Sequence, residues 1–397
     1  MVGGGLLVAM PVAMWIANRS APLLLGLATL ALMAAAILRE GAPSVLRRGV
    51  GLVTSPIGIA LTLFLLWALA SVFWSHRLAP GLSMWGELAL PLLCGLLLVA
   101  SRQLSLNPGF YRAFAIALAL AALLMIVELT VGLSQRVALG LGKAVHRTDV
   151  FNRPVLTSLL LAAAVLPTLW RQGGGLDRAL CLVTLALLAT VTMMSESGAA
   201  KLGLLIMLAV WALAALLPRL ALPAVALGFA ATMLTAPVIG ELADKAMPAK
   251  LHQQLASSHS RARVDIWLTF GEAIRIHPLV GSGFGATAAL EKHPVAQQVS
   301  PARREMLAVG HPHSAPIQAW AETGAVGAGL LLFAGLACLW RLRRLPAAQL
   351  APRLALFAAT FGIASVAHGA WQGWWIASIA TAVALLWLER SRTGTQD

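Results

Sequence analysis

The sequence predicts an all-α polytopic membrane protein, and three observations carry that prediction. Of 397 residues, 59% are hydrophobic and 11% charged, where a soluble globular domain carries about 25% charged residues. Mean hydropathy is +0.83. Apolar runs approaching the ~20 residues that cross a bilayer recur along most of the chain. The formal charge of +14 then belongs to membrane topology. A single Tyr and no aromatic-studded basic domain leave nothing that fits nucleic acid. Cys94, Cys181 and Cys338 all fall in apolar runs, where cysteine serves packing, so neither a disulfide nor a zinc site is expected. Residues 3–18 are apolar, but no small-residue cleavage site precedes a soluble domain, so a cleaved leader is not expected.

Twelve spans are expected, at roughly 3–18, 21–38, 56–74, 84–100, 113–133, 154–170, 179–194, 202–217, 220–240, 316–340, 354–369 and 373–388. Only Pro218-Arg219 separates the eighth from the ninth. With both termini cytoplasmic, the inner loops and tail hold fourteen basic residues and the short outer loops seven, as the positive-inside tendency requires. The long outer loop is exempt from that count. The chain thus divides into spans 1–9 (residues 1–240), one periplasmic loop (241–315), and spans 10–12 with a short tail (316–397).

Within the loop, 262–276 predicts an amphipathic helix with Val264, Trp267, Leu268 and Ile274 near one face. Its Trp and charges suit the membrane interface. Pro278 ends it. GSGFG (281–285) reads first as an ordinary turn and secondly as a backbone anion nest. A weaker helix is expected at 286–293.

Seven outer cations lie near the loop in sequence or by expectation in space: Arg147, Arg153, Lys201, Arg261, Arg263, Arg303 and Arg304. Positive-inside bias works against cations on this face, which points to an anion site. Phosphate or pyrophosphate suits the planar donor fork of Arg. Headgroup contact and surface solvation are the alternative for any one of them. Arg263 starts the amphipathic helix, and Asp265 is a ready partner for a neighbouring cation.

The segment GHPHSAPIQAWAETGAVGAG (310–329) concentrates polar residues just before the tenth span. Ser314 suits an N-cap and Pro316 the first helical turn. The positive end of that helix would lie beside His313, attracting anions and disfavouring imidazolium. A neutral His313 could act as general base on a sugar hydroxyl; capping or headgroup anchoring is the alternative, and is preferred for His311. Glu322 would orient a neighbour or pair with an arginine. His368 sits with Trp371, Gln372, Trp374 and Trp375 at the outer end of the last two spans, and those tryptophans read as an interfacial belt.

Those residues resemble the lipopolysaccharide O-antigen ligase family, within the ligase/polymerase superfamily of bacterial membrane proteins. The family's H-[NSQ]-x9-G-x-x-[GTY] pattern is carried by His313, Ser314, Gly324 and Gly327. Arg263 and Trp267, then Pro278, Gly281 and Gly283, resemble the superfamily's Arg-x3-Trp and P-x2-G-x-G signatures. The twelve spans and single long outer loop match in topology; the motifs cover only 261–327. Where the family often carries Ser-Arg after the seventh span, this chain reads SESGAAK, leaving Lys201 as the nearest cation. Arg147 and Arg153, with Phe151-Asn152, resemble another outer loop of the family.

The resemblance implies a GT-C-like glycosyltransferase of the Gram-negative inner membrane with its site facing the periplasm. The donor would be O-antigen on undecaprenyl pyrophosphate and the acceptor lipid A-core, both presented from membrane lipid. Arg263, with Arg147, Arg153, Lys201 and Arg261, would hold the pyrophosphate. His313 would either deprotonate the acceptor or bind phosphate, with Ser314, Glu322, Gly324, Gly327 and His311 in support. No cofactor is expected, and the loop carboxylates show no paired spacing for magnesium. The nearest rivals are an O-antigen polymerase and a protein O-oligosaccharyltransferase; protein-directed members often carry more sequence after the last span. A lipid-linked glycan transporter would place ionisable residues mid-membrane, where Glu87 and Glu128 are near the only candidates, and no inverted repeat is visible. A non-catalytic scaffold would leave the polar segment without a purpose.

Overall fold

The computed structural model describes residues 1–141, 148–247 and 260–393. Among them all regular structure is helical. α1 (Val2–Ile16), α2 (Ala21–Glu40), α3 (Ala42–Val53), α4 (Pro56–Ser71), α5 (Leu78–Ser101), α6 (Pro108–Thr130) and the short α7 (Ser134–Ala138) make the first half. α8 (Asn152–Gln172), α9 (Gly175–Met194), α10 (Gly198–Leu216) and α11 (Pro218–Thr235) follow. The loop region holds α12 (Ile239–Ala246), α13 (Ser260–Ile276) and the single turn α14 (Pro301–Arg304). α15 (Ala315–Leu342), α16 (Ala347–Ala364) and α17 (Gly373–Thr393) complete the bundle.

Every expected span falls on a helix. Ten of the described helices are long and apolar enough to cross a membrane, while α1 and the apolar part of α17 are shorter. Local chemistry sets the starts. Ser55 and Asn107 cap α4 and α6, accepting from Gly58 N (3.1 Å) and Phe110 N (2.8 Å). Pro56, Pro108 and Pro218 occupy first turns, where a missing N–H costs nothing. Pro218 thus makes a true break between the eighth and ninth spans. Besides the short α7, α12 and α14, one longer helix was not expected: α3, with Arg47 and Arg48 on a short amphipathic segment.

α8 is the post of the bundle. Its hydrophobic window is 83% buried, and Pro154 to Leu169 are buried without interruption, as befits a helix apolar all round. α1, α6, α9, α16 and α17 surround it. Because α8 is enclosed, its first turn delivers Arg153 to the middle of one end of the bundle.

The loop makes its own small core. Ile266, Phe270, Ala273 and Ile274 of α13 pack with Leu290, Val295, Val299, Leu307 and Ile317. This corrects the expectation that the helix lies in the interface: its apolar face is covered by short 3-10 turns at 286–298 and by α15. The weak helix expected at 286–293 is the first of those 3-10 turns. Arg303 and Arg304 serve this core, Arg303 bonding to Glu272 and Arg304 to the Gln297 carbonyl (2.9 Å).

The two glycine motifs interlock. Gly324 adopts φ 62°, ψ −165° and breaks the hydrogen bonding of α15. The freed Ala325 N–H donates to Pro278 O (2.8 Å) and Val326 N–H to Leu279 O (3.3 Å). The freed Thr323 carbonyl accepts from Trp67 Nε1 (2.9 Å). In return, Ser282 N–H and Gly283 N–H donate to Ala321 O (2.8 Å) and Glu322 O (3.0 Å). A Cβ on Gly324 would stand 2.3 Å from the Leu279 carbonyl. Gly324→Ala is therefore expected to lower the melting temperature in detergent, since left-handed backbone alone costs an L-residue roughly 1–2 kcal/mol. Gly329→Ala, where a Cβ meets open space, is expected to raise it slightly. Equal behaviour of the two variants would refute the interlock.

Candidate active site

A cavity of about 760 Å³ opens at the end of the bundle where α8, α10 and α17 begin. Its lining includes Arg136, Arg153, Arg263, His313, His368 and Trp374, together with Asn18, Asp149, Asn152 and Glu196. Six separate parts of the chain supply the charged and imidazole groups.

His313 stands on the turn before α15 in a left-handed conformation, φ 51°, which His tolerates better than most residues. Two bonds fix this turn. Trp267 Nε1 donates to Pro312 O (3.0 Å), and His313 Nδ1 lies 2.8 Å from Ala367 O. A carbonyl only accepts, so Nδ1 carries the proton and Nε2 of the neutral ring keeps its lone pair. Burial lowers the His313 pKa from its ordinary value; the bond to Ala367 opposes this and the Arg263 charge adds to it. The ring is thus neutral near pH 7, with a free acceptor nitrogen.

Two further histidines attend it. The His311 ring lies 4.2 Å from that of His313, edge to face, and its Nδ1 accepts the His313 N–H (3.3 Å). Burial pushes His311 down to about 4, with the His313 and His368 charges assisting. His368 is also held down at about 4, chiefly by burial, with Arg153 and His313 assisting against a bond to Gly369. Its Nε2 is buried with no hydrogen-bond partner among the described residues.

The cations divide sharply. At the far end of the bundle, three arginines are neutralised: Arg112 forms two bonds with Asp177 (2.6 and 3.0 Å), and Arg171 and Arg353 share Glu389. At the cavity, none of Arg136, Arg153 or Arg263 forms an ion pair among the described residues. Arg136 is tied to the carbonyls of Trp15 and Ile16 and lies 5.7 Å over the Phe151 ring. Arg153 lies 5.7 Å over the Trp374 ring, a contact that engages the guanidinium face and not its N–H edges. Arg263 is half-buried; burial lowers its pKa, yet a guanidinium stays charged at neutral pH.

The expected site residues sort accordingly. Arg153, Arg263 and His313 come together. Arg147 lies outside the described residues. Arg261 does not line the cavity: it is 59% exposed and paired with Asp244 (2.9 Å) and Asp265 (3.3 Å). Its two-residue offset from Arg263 turns it to another side of α13. Lys201 sits a turn into α10, and its segment instead presents Glu196, Ser197, Gly198 and Ala199. Glu322 pairs with no arginine. It is fully buried, accepting from Thr287 Oγ1, Gln318 Nε2 (3.1 Å) and Trp371 Nε1 (2.7 Å). It binds α15, the glycine loop and the α16–α17 turn into one frame. Ser314 occupies the N-cap of α15 without a side-chain capping bond, and Gln318 N–H takes its carbonyl (2.9 Å). The GSGFG amides are spent on protein acceptors, as an ordinary turn requires. Trp371, Trp374 and Trp375 are buried walls rather than a lipid-facing belt.

Sequence reasoning passed over Arg136, counted only as a loop charge, and gave His368 no role beside the tryptophans. For His368 a signal existed: imidazole beside three tryptophans in a short outer turn. Among the described residues no group of three or more His, Cys, Asp or Glu side chains is placed to hold a metal ion.

Residues 183–333 match the family model described as O-antigen ligase. The match runs from α9 to α15 and includes Arg263, His313 and both glycine motifs. It supports the O-antigen ligase family, and a membrane enzyme of the ligase/polymerase superfamily. No curated protein matches the chain.

Proposed function

We propose that this chain, with its O-antigen ligase match over residues 183–333, transfers O-antigen from undecaprenyl pyrophosphate to lipid A-core at the periplasmic face of the inner membrane. The supporting observation is the convergence on one cavity of guanidiniums that form no ion pair among the described residues and a neutral imidazole whose Nδ1 is held by Ala367. Arg263 and Arg153 hold the pyrophosphate and stabilise the charge that grows on it as the sugar–phosphate bond breaks. Arg136, fixed by two carbonyls, adds long-range positive potential. The acceptor hydroxyl oxygen attacks the anomeric carbon from the opposite side. His313 Nε2 takes its proton, undecaprenyl pyrophosphate leaves, and the configuration inverts. The bond to Ala367 keeps the receiving nitrogen oriented, as a second partner does for any catalytic imidazole. The charge excess on the opposite end of the bundle favours a GT-C-like orientation with the cavity outside.

Deleting the gene tests this reading. Unlinked polymer accumulating on its lipid carrier is the expected result; lipopolysaccharide capped with single repeats would make the protein a polymerase instead. With purified components, transfer is expected to survive EDTA, and a loss restored by magnesium would overturn the metal-independent step.

A further inference from the structure

The opposite end of the bundle holds a second cavity, of about 270 Å³, lined by Arg48, Gly51, Leu52, Val99, Ala100, Arg102, Trp387 and Leu388. It lies between α3, the C-terminal end of α5 and the C-terminal part of α17. We infer that this cavity binds the phosphate headgroup of an anionic glycerophospholipid from the leaflet opposite the His313 site.

Four observations carry this. First, Arg48 is half spent. Its Nε donates to Ala100 O (2.7 Å) and its Nη1 to Glu40 (2.6 Å), while Nη2 is buried with no hydrogen-bond partner among the described residues. An arginine anchored on two sides with an idle buried donor is built to receive another acceptor, because an unmet buried N–H is costly. Second, Arg102 ends α5 in a left-handed conformation, φ 53°, on the rim of the same cavity. Third, cations exceed acids here. Arg341 lies 5.3 Å over the ring of Trp387, which walls the cavity, and Arg39 donates to Gln103, the residue next to Arg102 (3.3 Å). Glu40 is the facing acid, and it is engaged by Arg48 and Gln103.

The fourth observation selects a lipid over a free anion. α3 is a short amphipathic helix with Leu46, Val50 and Val53 exposed beside Arg47 and Arg48. Such a helix lies flat where acyl chains meet headgroups. Leu52, Val99, Trp387 and Leu388 give the cavity an apolar side that inorganic phosphate does not need. Anionic headgroups of this leaflet are drawn to clustered Lys and Arg.

The full-length protein purified in neutral detergent supplies the test. Native mass spectrometry and thermal unfolding would be run with phosphatidylglycerol, phosphatidylcholine or inorganic phosphate added. Phosphatidylglycerol is expected to stay bound and to raise the melting temperature, with phosphatidylcholine and inorganic phosphate doing neither. Arg48→Gln with Arg102→Asn should reduce retained phosphatidylglycerol by at least about tenfold, each lost charged hydrogen bond being worth that order. Asn tolerates the left-handed backbone at 102. Gly51→Leu gives an independent arm: a Cβ there meets nothing within 4 Å, so the side chain can fill the cavity mouth without strain, and it should also displace the lipid. Equal retention of phosphatidylcholine, full reproduction of the effect by phosphate, or unchanged binding in both variants would each overturn the proposal. None of these residues lies near His313, so glycan transfer by the variants reports separately on the proposed enzyme function.

Discussion

His313→Asn reduces glycan transfer by about 10²–10⁴-fold, the usual contribution of a positioned general base, while membrane insertion and melting temperature stay near wild type. Asn is the informative replacement. It accepts the φ of 51° and its amide can still donate to the Ala367 carbonyl, but it cannot take a proton. His313→Ala should lose activity to a similar degree, with some added backbone strain. The pH profile separates the two roles open to this residue. Its pKa is lowered mainly by burial, so a base is protonated and idle well below pH 6.5 and fully active at neutrality. Transfer by the wild type should rise with pH through a single pKa below 6.5 and then level off. A phosphate-binding imidazolium predicts the reverse slope. Near-normal transfer by His313→Asn would end the base assignment.

Arg263→Lys gives the second large loss, on the order of 10²–10³-fold, as expected when a donor to developing charge is removed. The charge survives this substitution, so the loss tests geometry rather than electrostatics. A guanidinium presents paired donors to two phosphate oxygens at once; an ammonium is a point charge on a flexible stem. Arg263 forms no ion pair among the described residues, and Trp267, one turn along α13, holds the His313 turn independently through Pro312. Folding should therefore be intact, with the deficit in transfer. Arg261→Lys is the matched control: that side chain is exposed and already paired with Asp244 and Asp265, so transfer should change little. Comparable losses in both variants would mean that the loop needs its net charge and that Arg263 makes no directed contact.

The glycines show how far a motif can be read. Gly324 and Gly327 were legible as a pattern, but their task was not. Gly324 breaks a helix so that its freed amides can hold the Pro278–Gly283 segment, a pairing across residues far apart in sequence. Glu322 likewise looked like a site acid near the membrane edge. Two of its three donors, Thr287 and Trp371, come from segments far from it in sequence while Gln318 lies one turn back on the same helix, and only their convergence makes it a structural staple. The belt reading of Trp371, Trp374 and Trp375 failed for the same reason: composition places aromatic rings at a boundary but does not say which side of the helix faces lipid.

The sequence by itself determined the all-helical, multi-pass membrane class and where the apolar helices fall, because hydropathy and capping chemistry act over a few residues. Tertiary structure alone decided which cations face the cavity. Among the described residues Arg153 and Arg263 form no ion pair there, while Arg261, two residues from Arg263, is neutralised by Asp244 and Asp265. Whether a guanidinium is free or paired depends on which acids the packing brings within about 4 Å, and that distance is set by the bundle, not by the neighbours in the chain.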